Sequence, residues 1–182
     1  MIITIDGPAG VGKTTTAKKL ASKLGYQYLD TGAMYRAATY FFIQHATDTS
    51  SENQVKKMLD ILNLELDFTS NDSITILLDG KDISLLIRSK AVTDAVSKVS
   101  ALESVREKMV KIQKDTTKNG NFIVEGRDIG TVVFPDAKYK FFLVADYDTR
   151  AKRRFKDFKI VNEEINVNKI KQDLTDRDQY DS

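Results

Sequence analysis

Gly7-Pro8-Ala9-Gly10-Val11-Gly12-Lys13-Thr14 decides the reading of this chain. The stretch follows a short apolar run, Met1 to Ile5, and leads into a helical pattern. Its spacing is G-x-x-x-x-G-K-[ST], set between a strand and a helix. Glycines so spaced let successive backbone N–H groups turn inward and cradle phosphate oxygens. Lys13 can reach the terminal phosphates, and the Thr14 hydroxyl can ligate Mg2+. The helix that follows offers its positive N-terminal end to the same anion. The context predicts a nucleotide phosphate site rather than a plain glycine-rich turn.

Outward from that loop, composition sets the bounds. The chain has 182 residues, 41% hydrophobic and 30% charged, enough for one substantial core with a small inserted subdomain. Its net charge of +2 gives no case for a nucleic-acid or membrane partner. It has no cysteine, which excludes disulfides, thiol catalysis and cysteine metal sites and fits a cytoplasmic location. The first strand begins at Met1, so no signal or transit peptide is expected. No apolar run approaches the ~18 residues that span a bilayer. The single histidine, His45, leaves imidazole chemistry without parts and is expected at a helix end or surface.

Along the chain, Ala17, Leu20, Ala21 and Leu24 repeat at helical spacing, with Gly25 as a stop. Tyr26 to Leu29 reads as a second strand, 33–46 as a helix, and Ser51 with Gln54 as a capping box for a helix over 52–62. The texture then changes. Leu64–Phe68 alternates, Ile74–Leu78 follows, and Asp79-Gly80 is a hairpin signal before Lys81-Asp82-Ile83. A small antiparallel sheet is expected there, inserted in an otherwise alternating β/α chain. Helices are expected over 84–98, 101–118 and 162–180, and Phe122-Ile123-Val124 and Tyr139–Ala145 read as buried parallel strands. The fold class is therefore α/β: a three-layer parallel sheet flanked by helices, with a small antiparallel insertion and the ligand at the strand carboxyl ends.

Polar clusters fall just after these strands. Asp30-Thr31-Gly32 follows the second, with Arg36 one turn later, and Glu125-Gly126-Arg127-Asp128 follows another. Taken singly, each reads equally well as a turn with an exposed charge; in one sheet with a phosphate loop, they read as a site. A second phosphate brought to a nucleoside triphosphate is repelled. Unit charges ~4 Å apart interact by about 4 kcal/mol at an effective dielectric near 20. Arg36, Arg127, Arg150, Arg153 and Arg154 can offset this as guanidinium forks. Positioning and charge stabilisation suffice for phosphoryl transfer. The 150–154 cluster also reads as a solvated basic helix face. No aromatic platform interleaves with it for nucleic-acid binding.

With these residues in view, the chain resembles bacterial-type cytidylate kinase, a nucleoside monophosphate kinase of the phosphate-loop class. The resemblance runs through Ile3–Gly10, Leu29-Asp30-Thr31-Gly32-Ala33-Met34-Tyr35-Arg36 and the highly specific stretch Glu125–Ala137. It continues in Arg150–Arg154 and Arg177–Asp181, and so covers nearly the whole length. It implies ATP-dependent phosphorylation of CMP and dCMP with Mg2+ by a monomer. It implies a core over 1–36 and 119–147, a monophosphate-binding region over 37–118 and a lid over 148–182. Gly7, Pro8, Ala9, Gly10, Val11, Gly12, Lys13, Thr14 and Thr15 would hold the ATP phosphates, with Thr14 on the metal. Thr31, Arg36 and Arg127 would hold the acceptor phosphate, Ser97, Arg106 and Asp128 would face the cytosine, and Arg177 and Asp181 the sugar. Lys13, Arg127, Asp128 and the lid residues Arg150, Arg153 and Arg154 would act on the transferring group. Ser97 read without the family is a helix-surface residue.

The chain departs from the family in two places. The pattern R-D-x-x-D-x-x-R is present as Arg177, Asp178 and Asp181, and the sequence stops at Ser182 before the last arginine and the family's following strand and helix. That predicts an uncovered sheet edge. Thr14-Thr15 stands where relatives have Gly-Thr or Ser-Thr, and Thr14 keeps the hydroxyl. Three alternatives remain at this point. One is a small phosphate-loop kinase acting on shikimate, dephospho-coenzyme A or dTMP. Another is a GTPase, which lacks its D-x-x-G and N-K-x-D motifs here. The third is a non-catalytic nucleotide-binding protein.

Overall fold

The computed structural model describes residues 1–68, 74–160 and Thr175. In chain order the elements are β1 (Ile2–Asp6), α1 (Lys13–Leu24), β2 (Gln27–Asp30), α2 (Thr31–Gln44), α3 (Glu52–Ile61), β3 (Leu64–Asp67), β4 (Thr75–Leu78) and β5 (Lys81–Asp82). There follow a 3-10 turn (Leu86–Arg88), α4 (Lys90–Ser100), α5 (Glu103–Thr117), β6 (Phe122–Glu125), a π turn (Ile129–Val133), β7 (Tyr139–Phe142) and α6 (Tyr147–Ile160).

Four strands form one parallel sheet in the order β2-β6-β1-β7. Strand side chains alternate between faces, and this sorts β1 cleanly. Ile3 and Ile5, with Ile123 of β6, pack on Ala17 and Ala21 of α1. Thr4 pairs in register with Val124, and Val124 and Phe122 face the larger core of Ala37 and Phe41 from α2 and Met109 from α5. Asp6 shares the Thr4 face. Helices on both faces give the three layers, and fully burying an aromatic such as Phe41 or Phe42 contributes about 1.5–3 kcal/mol.

The separate sheet is antiparallel, in the order β3-β4-β5. Its β4–β5 turn has Asp79 and Gly80 both left-handed, at φ 49° and 74°, the pattern of a type I′ hairpin. Ile76 and Leu78 turn inward and extend the α2 core. Before α3, Ser51 Oγ accepts from Gln54 N at 3.4 Å, while Gln54 Oε1 takes Asp48 N at 3.2 Å. Only half of the expected capping box therefore forms. His45 ends α2, exposed, with its Nδ1 2.9 Å from the Phe41 carbonyl.

Two expectations need correction. The helix expected over 84–98 is broken at Ser89 into the 3-10 turn and α4. A continuous helix needs the Ile87 carbonyl for the amide of residue 91, and Arg36 Nη1 takes that carbonyl at 3.2 Å. The Tyr139–Ala145 run is parallel as expected, but it is a strand only over Tyr139–Phe142 and is exposed along its whole length. It is the edge of the sheet among the described residues, and apolarity alone does not distinguish an edge strand from a central one. The helix expected over 162–180 lies outside the described residues. No helix among the described residues is long and apolar enough to cross a membrane.

Candidate nucleotide site

The phosphate loop leaves β1 at Asp6 and enters α1 at Lys13. Gly10 and Gly12 sit at φ 78° and 98°, the left-handed geometry that turns the intervening amides to one side. The loop's carbonyls face cations. Lys13 Nζ donates to Gly7 O at 2.7 Å and Pro8 O at 2.9 Å. From α6, Arg150 Nη1 donates to Ala9 O at 3.4 Å and Arg153 Nη1 to Val11 O at 2.9 Å. Arg150 is buried, with its guanidinium 5.5 Å from the Tyr147 ring centre. Three of the expected cations thus converge on one loop. The side chain of Arg154, and Arg177 and Asp181 entirely, lie outside the described residues.

Thr14 lies in the first turn of α1, beside a buried polar pair that the sequence reading gave no role. The Tyr28 hydroxyl donates to Glu125 Oε1. Burial first, then the charge of Asp30, pushes the Glu125 carboxyl above the ordinary carboxylate value; Tyr28, Thr14 and Lys13 pull it back. Burial and the Asp30 and Glu125 charges likewise push the Tyr28 phenol up. Glu125 Oε2 is buried with no hydrogen-bond partner among the described residues. A hydroxyl beside a carboxylate oxygen without a partner is a hard oxygen donor set, and it fits Mg2+.

Of the residues expected on the acceptor side, Thr31, Arg127 and Asp128 follow the ends of β2 and β6, Arg36 lies on α2, Ser97 on α4 and Arg106 on α5. Asp30 caps α2, its Oδ1 accepting from Ala33 N at 3.0 Å. Thr31, buried, donates its hydroxyl to Glu125 O at 2.7 Å, so its side chain also ties β2 to β6. Arg36 Nη1 reaches Ile87 O and Thr93 Oγ1, the latter at 3.0 Å. Arg106 of α5 forms an ion pair with Asp128, and the two side chains keep 40% and 29% of their surface exposed. Tyr35 stands beside that pair: burial raises its phenol, Arg106 lowers it and Asp128 raises it. Arg127 is half-buried between Gly126 and Asp128. Ser97 is half-buried on α4, its carbonyl accepting from Ser100 Oγ at 3.1 Å.

Two features hold this arrangement. At Gly126 a Cβ atom would stand 2.5 Å from Ile129 Cγ1 and 2.8 Å from Thr31 Oγ1, so a side chain there forces Ile129 and Thr31 to shift. Asp6, buried, accepts from Ile129 N at 2.9 Å and Gly130 N at 2.8 Å. Hydrogen bonds to a charged group contribute about 1.5–3 kcal/mol each. Burial still raises the Asp6 carboxyl, the two amides lower it, Asp128 raises it and Lys13 lowers it. Asp6 and Tyr35 were missed in the sequence. The available signal for Asp6 was a carboxylate ending an apolar strand on the face that Thr4 had already marked.

The comparisons with known proteins agree along the whole length. The family model described as cytidylate kinase matches residues 3–182. A cytidylate kinase of Protochlamydia amoebophila is 44% identical over 186 residues, covering 100% of this chain and 81% of that relative. A cytidylate kinase of Streptococcus gordonii is 43% identical over 180 residues, covering 99% and 80%. A bifunctional pantoate ligase/cytidylate kinase of Prochlorococcus marinus is 44% identical over 182 residues, which cover 100% of this chain and 35% of that protein. With a parallel sheet, a phosphate loop and an inserted antiparallel sheet already established, a match of this extent leaves one assignment: the chain belongs to the cytidylate kinase family.

Proposed function

We propose that this chain transfers the γ-phosphoryl group of ATP to the phosphate of CMP and of dCMP. The observation that carries the reading is the Arg106–Asp128 pair, a hydrogen-bond donor and an acceptor side by side and open to a ligand, on a chain of this family. Cytosine offers an amino donor at N4 and acceptors at N3 and O2. Asp128 accepts from N4, and Arg106 donates to N3 or O2. Uracil reverses N3 and N4 and turns a carbonyl oxygen toward the carboxylate. In a rigid, dry site such unpaired groups discriminate by roughly 10⁴-fold.

The backbone N–H groups of the Gly7–Thr15 loop, Pro8 excepted, bind the ATP phosphates, and Lys13 contacts the terminal ones. Arg36, Arg127 and Thr31 hold the acceptor phosphate so that one of its oxygens is in line with the γ-phosphorus; Ser97 lies toward the base. That oxygen attacks phosphorus as the bond to the ADP oxygen breaks, and no covalent intermediate with the protein is needed. Arg150, Arg153 and Arg154 balance the charge on the transferring group. Thr14, with Glu125 behind it, would hold Mg2+, which neutralises charge on the β- and γ-phosphates. The region 37–118 carries the acceptor side and 148–182 the lid, and closure of the two excludes water that would otherwise take the phosphoryl group.

A coupled assay of ADP release tests the reading. CMP and dCMP are expected to support turnover, with UMP and AMP poor and ATP alone near background. ADP release that ignores the acceptor, or nucleotide binding with no turnover on any acceptor, overturns it.

A further inference from the structure

The π turn Ile129–Val133 begins at Asp128, and the Asp128 side chain makes no capping hydrogen bond. This is unusual chemistry for an aspartate. At the residue before a helical turn its carboxylate ordinarily accepts from the second or third amide of that turn. Here those are the amides of Gly130 and Thr131. Asp6, a residue 123 positions away from Ile129 and 124 from Gly130, takes the first two amides instead. Its position follows from strand alternation, which puts Asp6 on the sheet face beneath the turn. The Asp128 carboxylate is left to pair with Arg106.

We infer that Asp6 is a positioning residue that caps the π turn from the neighbouring strand and thereby frees Asp128 to read the acceptor base. The inference rests on the base-reading role proposed above for Asp128. It also links the two substrates. Asp6 is the last residue of β1 before the phosphate loop, and its carboxylate feels the charges of both Lys13 on the donor side and Asp128 on the acceptor side. Without this remote cap the Ile129 and Gly130 amides lose their acceptor, and an Asp128 carboxylate drawn to the Gly130 amide, two residues on, turns away from the base. The turn then caps itself, and the base loses its reader.

The test uses Asp6→Asn, which keeps the shape but opposes an NH2 group to one of the two amides. KM for CMP is expected to rise and the ratio of kcat/KM for CMP over UMP to fall, by about ten- to a hundredfold for one lost charged hydrogen bond. KM for ATP is expected to stay within a few fold. Melting curves verify that the variant is folded at the assay temperature; if it is not, Asp6→Ser, which retains one acceptor oxygen, replaces it. The decisive comparison is with Asp128→Ala. If Asp6 acts through Asp128, adding Asp6→Asn to Asp128→Ala changes the CMP/UMP ratio by no more than about twofold. If Asp128→Ala lowers the ratio but the Asp6 variant leaves it at the wild-type value, or lowers it equally in both backgrounds, the remote cap is wrong while the base reading stands. If Asp128→Ala leaves the ratio unchanged, the base reading falls, and this inference with it.

Discussion

At the scale of single residues, the site is a set of carboxylates held in unlike surroundings. Asp30 caps a helix, Asp128 is paired with an arginine, and Glu125 is buried with one oxygen lacking a geometrically formed hydrogen bond among the described residues. Glu125 therefore sets a pH dependence whose sign can be worked out. Its folded pKa lies above the unfolded value of 4.5, with burial as the main cause. The fold thus favours the protonated form: the contribution is full below 4.5 and is lost as pH rises through the raised value. Glu125→Gln removes the titration and retains an acceptor for the Tyr28 hydroxyl. In the absence of nucleotide and metal, the melting temperature of Glu125→Gln minus that of wild type is expected to increase from pH 4.5 to pH 8, at about 2–4 °C per kcal/mol for a chain of this size. A pH-independent difference contradicts the account. The sequence identified the polar types at the strand ends. It did not tell which carboxylate would be buried, because burial of Glu125 depends on Tyr28 and Thr14 arriving from two other elements.

Among the elements, the π turn has the most consequence and was the least legible. Nothing in Ile129-Gly130-Thr131-Val132-Val133 marks a π geometry; the turn closes through Phe134 N donating to Ile129 O at 2.7 Å. Its seat is made by Gly126. Adding a methyl group there drives into Ile129 and Thr31 together. Overpacking of this kind costs about 1–3 kcal/mol. Gly126→Ala is expected to lower the melting temperature and to raise KM for CMP more than KM for ATP, since Thr31 and the turn belong to the proposed acceptor side. A variant with wild-type melting and an unchanged KM for CMP contradicts this role. Regular periodicity, by contrast, was readable. The face of α1, the Ser51 cap and the Asp79-Gly80 hairpin follow from local spacing and turn chemistry. The break at Ser89 was not readable, because the competing donor is Arg36, 51 residues upstream of Ile87.

The whole molecule owes its chemistry to sheet order. Placing β6 between β2 and β1 brings the ends of three strands together, and with them the phosphate loop, Thr31 and the Glu125–Asp128 segment. Alternating β/α texture predicted such a sheet, but not that β7 would form its edge among the described residues. There Tyr139, Phe141 and Phe142 are exposed, with Lys138 and Lys140 beside them as charges that discourage edge-to-edge pairing. The convergence of Lys13, Arg150 and Arg153 on the loop carbonyls gathers, in one place, the positive charge that two polyanions require. A crystal structure with CMP and a non-hydrolysable ATP analogue tests the central claim most directly. The account predicts the CMP phosphate between Arg36 and Arg127, in line with the γ-phosphorus, and the cytosine amine on the Asp128 carboxylate. A bound CMP from which Arg36, Arg127 and Asp128 all point away would contradict it.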